Sequence, residues 1–259
     1  MAVTRIAPPS TTPTMGFWLP FLALMVAPLG GCAGSSWQDA AQEAWQSPAT
    51  WVPAAAAATF WITGADTGVS DWARQQTPVF GSEENAGKWS NDLRFWANRL
   101  MNVSQVAYFI DAEETSRPLR QALLGHAAAI TATEAGLWIK KTTDRTRPSG
   151  AANSPSFPSQ HAARSFAYTA TTQQTFIAAN RDDAFSKSIM ALSWATSYGT
   201  AWARVEAGAH YPSDVLAGAA LGNFTAIFLQ KVLLPHKSPI YFNYDPLSST
   251  VLGGVAYEF

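Results

Sequence analysis

The sequence predicts an all-α protein, a helical bundle followed by a small C-terminal β-hairpin. Three observations lead there. Apolar residues recur at spacings of three and four through the long segments between 83 and 231, the period of one helix face. These segments are separated by short runs rich in Pro, Ser, Thr and Gly, where caps and turns are favoured. Only after Ile240 does the pattern change, to closely spaced Tyr, Phe and Val on either side of an Asp-Pro turn. With 259 residues, 47% apolar, 14% charged and 11 Trp, the chain holds enough apolar material for one large helical core or for membrane contact.

The N-terminus carries a targeting pattern. Arg5 is followed by no acid until Asp39, and Gly16 to Ala27 is an apolar run of signal-peptide length, too short to span a bilayer comfortably. Leu29-Gly30-Gly31-Cys32 follows and resembles a bacterial lipobox, in which the thiol of the first mature residue carries a diacylglycerol. Cys32 is the single cysteine of the chain, so no disulfide forms within it. The expected organisation is a signal peptide over 1–31 and one domain over 32–259, tethered to the cell envelope by a lipid on Cys32 and facing the periplasm. Ala33 after the cysteine resembles lipoproteins sorted to an outer membrane.

Ser35 to about Thr63 is rich in Ala and Trp, and Pro48 and Pro53 within it predict two short helices separated at the prolines. Ser70-Asp71 reads as the N-cap of a short helix ending at Gln76. Glu83 to about Phe109 reads as a longer amphipathic helix with Trp89, Leu93, Trp96, Leu100 and Val103 on its core face. Ser116 to Lys141 is helical again, with Pro118 near its start and two lysines at the negative end of its dipole. His126, inside it, reads as an ordinary packed or surface histidine. Thr142 to Phe157 is a polar loop in which the Arg147-Pro148 step cannot be helical. Helices then run over about Ser159–Ala179, Ala184–Glu206 and Ser213–Lys231. The stretch Val215 to Leu229 is apolar on nearly every face, as in a central buried helix or a membrane segment. Gly218, Gly222 and Asn223 favour tight helix packing, and the mean hydropathy of −0.03 is far below that of a multi-span protein. A soluble helical body tethered by its lipid is expected.

Three patterns between Lys140 and Asp214 carry chemistry. Lys140 and Arg147-Pro148 place two cations at a helix end and a rigid turn, suited to a doubly charged phosphate. Pro158-Ser159-Gln160-His161 puts an imidazole beside the free N–H groups and positive dipole of a helix start. In Arg204-Val205-Glu206-Ala207-Gly208-Ala209-His210-Tyr211-Pro212-Ser213-Asp214, a cation precedes a loop histidine whose carboxylate partner stands four residues on, at the next helix start. Lys plus Arg number 17 against 18 Asp plus Glu, so no positive excess is available to follow nucleic acid.

In this order the three patterns resemble the tripartite signature of the type 2 phosphatidic acid phosphatase (PAP2) superfamily, which also contains bacterial class A acid phosphatases and vanadium-dependent haloperoxidases. The match runs from Lys140 to Gly218. The resemblance implies that family's helical bundle and a metal-independent phosphatase acting on phosphomonoesters or diphosphates. It implies that Lys140, Arg147 and Arg204 bind phosphate oxygens, helped by the hydroxyl of Ser159 and backbone N–H groups around Gln160. His210 would attack phosphorus, Asp214 would hold its ring in the reactive tautomer, and His161 would protonate the leaving oxygen. No metal or cofactor is called for. Two positions depart from the family: Gln160 stands where Gly is usual, and Ala203 where Ser is usual. Either the backbone at Gln160 has ordinary torsions, or its long amide alters the pocket.

The expected substrate is a phosphorylated lipid or a small soluble ester, with the lipid tether favouring the lipid. Two other functions compete. The same residues would hold vanadate, the one cofactor this site would take, in a haloperoxidase. The departures at Gln160 and Ala203, with the aromatic C-terminal hairpin, would also suit a catalytically weak envelope-binding lipoprotein.

Overall fold

The computed structural model describes residues 37–151 and 155–234, and the backbone of 240–245 and 250–255. The signal sequence, the lipobox-like segment and Cys32 lie outside the described residues. Eight helices stand among those described: α1 (Trp37–Gln46), α2 (Pro48–Thr63), α3 (Ala65–Gln76), α4 (Glu83–Asp111), α5 (Ser116–Thr143), α6 (Gln160–Ala178), α7 (Ala184–Glu206) and α8 (Pro212–Leu233). Strands β1 (Ile240–Asp245) and β2 (Thr250–Val255) pair antiparallel, Ile240 opposite Val255. The bundle and the hairpin are those the sequence predicts.

α6 and α8 form the centre, and α2, α4, α5 and α7 pack around them. The contact between the central pair is made by backbone. A Cβ at Gly222 would overlap the Ala163 carbonyl, and one at Gly218 would overlap the Ser159 carbonyl. Only glycine lets the two helices approach this closely. α8 is long and apolar enough to cross a membrane, and more than half of its residues are buried against α6, α2, α5 and α1.

Three local expectations are corrected. Pro48 starts α2, but Pro53 lies inside that helix. A proline there cannot donate to the carbonyl of Ala49. Asn223 Nδ2 donates to that carbonyl instead, at 2.6 Å, so the helix continues. Second, Ser70 does not cap a helix: α3 begins at Ala65, after Gly64 in the left-handed region, and Ser70 is buried within it.

Third, the aromatic stripe of α4 does not face the core. Trp89, Trp96 and Val103 are 48%, 55% and 42% exposed, and the buried face is Ala86, Ser90, Ala97, Met101, Ser104, Gln105, Ala107 and Tyr108. The core is built from small residues, with Ala97, Ala128, Ala129, Ala132, Ala163, Ala167, Ala170 and Ala226 in one cluster. Ser165, Thr169 and Ser197 link α6 to α7 through hydroxyl hydrogen bonds of 2.8 Å. Helices this close have no room for indole rings between them. Leu93 does pack inward, over Gly199 of α7. His126 is exposed on α5.

Candidate active site

The sequence-predicted residues meet at one end of the bundle, where α6 and α8 begin and α5 and α7 end. Ser159 caps α6: its Oγ accepts from Ala162 N–H at 3.4 Å, and its own N–H donates to the Asp214 carbonyl at 3.0 Å. The second bond, with the glycine contact beneath it, fixes the two helix starts side by side. The loop carrying Arg147 is stitched to the loop carrying His210 by Ser149 N–H donating to the Gly208 carbonyl at 3.0 Å. Arg74 of α3 supports the same loop, donating to the Pro148 carbonyl at 2.9 Å.

His210 is 2% exposed. Its Nδ1 faces Asp214 Oδ2 at 3.7 Å, within ion-pair reach but too long for a hydrogen bond. Burial, reinforced by the charges of Arg204 and Lys140 and opposed by Asp214, pushes the imidazole down to about 4. The ring is therefore neutral at pH 7. Asp214 is fully buried. Burial alone would raise its pKa, yet His210, Arg145 and the Tyr211 N–H at 2.8 Å together hold the carboxyl below its ordinary value.

Lys140, 6% exposed at the end of α5, donates to the Pro155 carbonyl at 2.7 Å. Burial and the neighbouring Arg147 lower its ammonium to about 8. Burial also lowers Arg147. Arg204 is lowered to about 10 by burial and then by Arg147 and Arg94; its Nη1 donates to Ser90 Oγ at 3.3 Å, and its Nε is buried with no partner among the described residues. Mutually repelling cations that are partly stripped of water form a site that favours a multiply charged anion.

His161 opens α6 with Nε2 3.0 Å from Asn91 Oδ1 of α4. Burial first, then the charges of Arg204, Arg94, His210 and Arg164, push its imidazole down to about 3. Gln160 turns away from this cluster. Its Nε2 donates to the Thr133 carbonyl at 3.2 Å and its stem lies over Gly136 of α5. The side chain is thus spent on helix packing, leaving the α6 start to offer backbone N–H groups. Ala203 is fully buried on α7. Among the described residues, no group of three or more His, Cys, Asp or Glu is placed to hold a metal ion.

The structure adds residues that sequence reading missed. Arg145 joins Asp214 to Asp66: its Nη1 donates to Asp214 Oδ1 and, at 2.8 Å, to Ser213 Oγ, while its Nη2 donates to Asp66 Oδ2 at 2.8 Å. The guanidinium lies 4.4 Å from the ring centre of Trp61 and 4.1 Å from that of Tyr211. Ser213 donates to Asp66 through both its N–H and its hydroxyl. Arg145 reaches the candidate site through Asp214, whose carboxylate it holds. Its place two residues before Arg147 was the one available signal. Nothing local marks Asp66.

The other addition is a pair of facing ladders. Asn91, Arg94 and Asn98 share one face of α4, and His161, Arg164 and Tyr168 share one face of α6, both at spacings of three and four. Asn91 meets His161 at 3.0 Å, and Asn98 meets the Tyr168 hydroxyl at 3.4 Å. Arg94 and Arg164 occupy the rung between.

Residues 122–236 match the family model of the PAP2 superfamily. The fold is similar to that of a solved structure described as the first transmembrane PAP2 type phosphatidylglycerolphosphate phosphatase from Bacillus subtilis, at 20% sequence identity and a TM-score of 0.53, over 70% of this chain and 90% of that chain. At that identity the likeness is one of fold. The sequence matches none of the curated proteins.

Proposed function

From the premise that this chain carries a PAP2 superfamily domain over residues 122–236, we propose that it is a phosphatase working through a phosphohistidine at His210. One observation carries the reading. Three partly desolvated cations, Lys140, Arg147 and Arg204, surround a neutral, buried histidine backed by a carboxylate.

In this reading the phosphate sits against the three cations and the first-turn N–H groups of α6, which neutralise its oxygens during transfer. The proton of His210 stays on Nδ1, toward Asp214, leaving the Nε2 lone pair to attack phosphorus. The N–P bond forms as the bond from phosphorus to the ester oxygen breaks, and His161 gives its proton to that oxygen. Water then attacks the phosphohistidine, losing a proton to His161, and orthophosphate and neutral His210 are regenerated. His161 is neutral in the free protein, and the bound anion raises its affinity for the proton it must deliver.

The substrate class is a lipid phosphate or a small soluble ester, and the phosphatidylglycerolphosphate phosphatase activity of the structural neighbour favours the lipid. The lipobox-like sequence at Cys32 supports a lipid-tethered, periplasm-facing enzyme. Substituting Cys32 by Ser should release the protein from membranes, and persistence there after a salt wash would place the anchor elsewhere. Phosphate release from a panel of lipid and soluble esters, in the presence of a chelator, tests the activity. Release blocked by vanadate supports it. Bromide oxidation with vanadate and peroxide, without phosphate release, would assign the site to a haloperoxidase, and neither activity would leave a binding protein.

A further inference from the structure

Next to His161 the site holds two cations that the phosphatase reading leaves unused. Arg94 and Arg164 share the middle rung of the α4–α6 ladders, whose outer rungs are Asn91 with His161 and Asn98 with Tyr168. Arg164 donates Nε to Thr133 Oγ1 at 2.9 Å. The Nε of Arg94 is buried and has no partner among the described residues. Neither guanidinium is paired with a carboxylate among the described residues. Two partly buried like charges on one rung, without a counter-ion, are unfavourable unless an anion comes to them.

Their position decides which anion. The transferred phosphate belongs to Lys140, Arg147, Arg204 and His210. The charges of both groups bear on the His161 ring, Arg204 from the first and Arg94 and Arg164 from the second, and in the phosphatase reading that ring serves the departing oxygen. We propose that Arg94 and Arg164 form a second phosphate subsite on the leaving-group side, so that the preferred substrate is a diphosphate ester or another ester with a phosphate on its leaving group. This rests on the phosphatase reading and sharpens its substrate class. For a diphosphate, His210 Nε2 bonds to the terminal phosphorus, the bond from that phosphorus to the bridging oxygen breaks, and the electron pair stays on a monophosphate ester held by the two arginines. Water later cleaves the N–P bond to give orthophosphate. Such a leaving group departs as an anion and needs charge neutralisation more than a proton. A low proton affinity at His161, partly imposed by Arg94 and Arg164, is consistent with that demand.

The test compares one alcohol as its diphosphate and its monophosphate, geranyl diphosphate against geranyl monophosphate, on the full-length protein. Wild type should show at least a tenfold higher kcat/KM for the diphosphate. Arg94→Gln and Arg164→Gln should each lower the diphosphate value at least tenfold and the monophosphate value no more than threefold. Arg164→Lys, which keeps the charge, should retain most of the preference and guards against a folding defect, as does an unchanged melting temperature. A wild type indifferent to the second phosphate, or variants that lose both substrates alike while remaining folded, would overturn the subsite and leave the phosphatase reading intact. A wild type that cleaves neither substrate nor any other phosphate ester would remove both.

Discussion

The two histidines of the site stand in opposite surroundings. His210 is buried at the end of a closed chain: Asp214 faces its ring, Arg145 holds Asp214, Asp66 holds Arg145, and Trp61 and Tyr211 stack on the guanidinium. His161 meets an amide and several cations, with no carboxylate among its partners in the described residues. Both rings are neutral at pH 7, yet only His210 faces a carboxylate, 3.7 Å from its Nδ1, while His161 meets the Asn91 amide oxygen at 3.0 Å. A group that attacks must be held in one orientation and one tautomer before substrate arrives. A group that serves the leaving oxygen takes its protonation state from whatever anion is bound. In the proposed mechanism the carboxylate-backed half of the site is pre-set, and the other half is set by its substrate.

The largest effect should come from the pre-set half. His210→Ala removes the proposed attacking nitrogen and should abolish turnover on every substrate, a loss on the order of 10⁴ or more, measured as phosphate release. The contrast sharpens at His161. His161→Ala should lower kcat/KM for an alkyl phosphate by roughly 10² to 10⁴, and for p-nitrophenyl phosphate by less than about tenfold, because nitrophenolate leaves unaided. Equal losses on both would show that His161 does not serve the leaving group.

Arg204→Ala should lower kcat/KM by about 30- to 1,000-fold, the equivalent of roughly 2 to 4 kcal/mol of transition-state charge stabilisation. Vanadate inhibition should weaken in parallel, and unchanged inhibition would take Arg204 out of the phosphate site. The pH profile should separate the two ends of the cation cluster. Activity should fall below about 4 as His210 protonates, and above about 8 as Lys140 loses its charge. Lys140→Arg should abolish the alkaline fall, since a guanidinium stays charged there. A fall that persists near 8 belongs to another group.

The smallest effect is on stability. Both imidazoles bind protons less readily folded, at about 3 and 4, than unfolded, at about 6.5. The folded state therefore binds fewer protons, and stability should decline as pH falls below about 6.5. His161→Asn should flatten that decline in melting temperatures measured between pH 7 and 5, and an equally steep decline would exclude His161 as a source of it.

Much of the candidate site was legible because its parts are local. Ser159 before a helix, His210 four residues before Asp214, and Lys140 at a helix end each declare themselves within a few positions. The supports were not legible, because they come from far along the chain. Asp66 reaches Ser213 and Arg145 only through the packing of α3 against α8. Pro53 should have ended a helix, and the amide that rescues it belongs to α8. Helical period marked Trp89 and Trp96 as one stripe, but period does not say which face is inside. Closely packed Ala, Ser, Thr and Gly took the interior instead.

The account turns on the covalent role of His210, and trapping the intermediate tests it directly. The wild-type enzyme would be mixed with substrate, quenched rapidly without acid, which would hydrolyse an N–P bond, and its peptides mapped by mass spectrometry. The account predicts one phosphate on His210, present in the wild type, accumulating in His161→Ala with an aryl substrate, and absent from His210→Ala. A phosphate mapped to another residue, or turnover in which no phosphoenzyme forms, would contradict it.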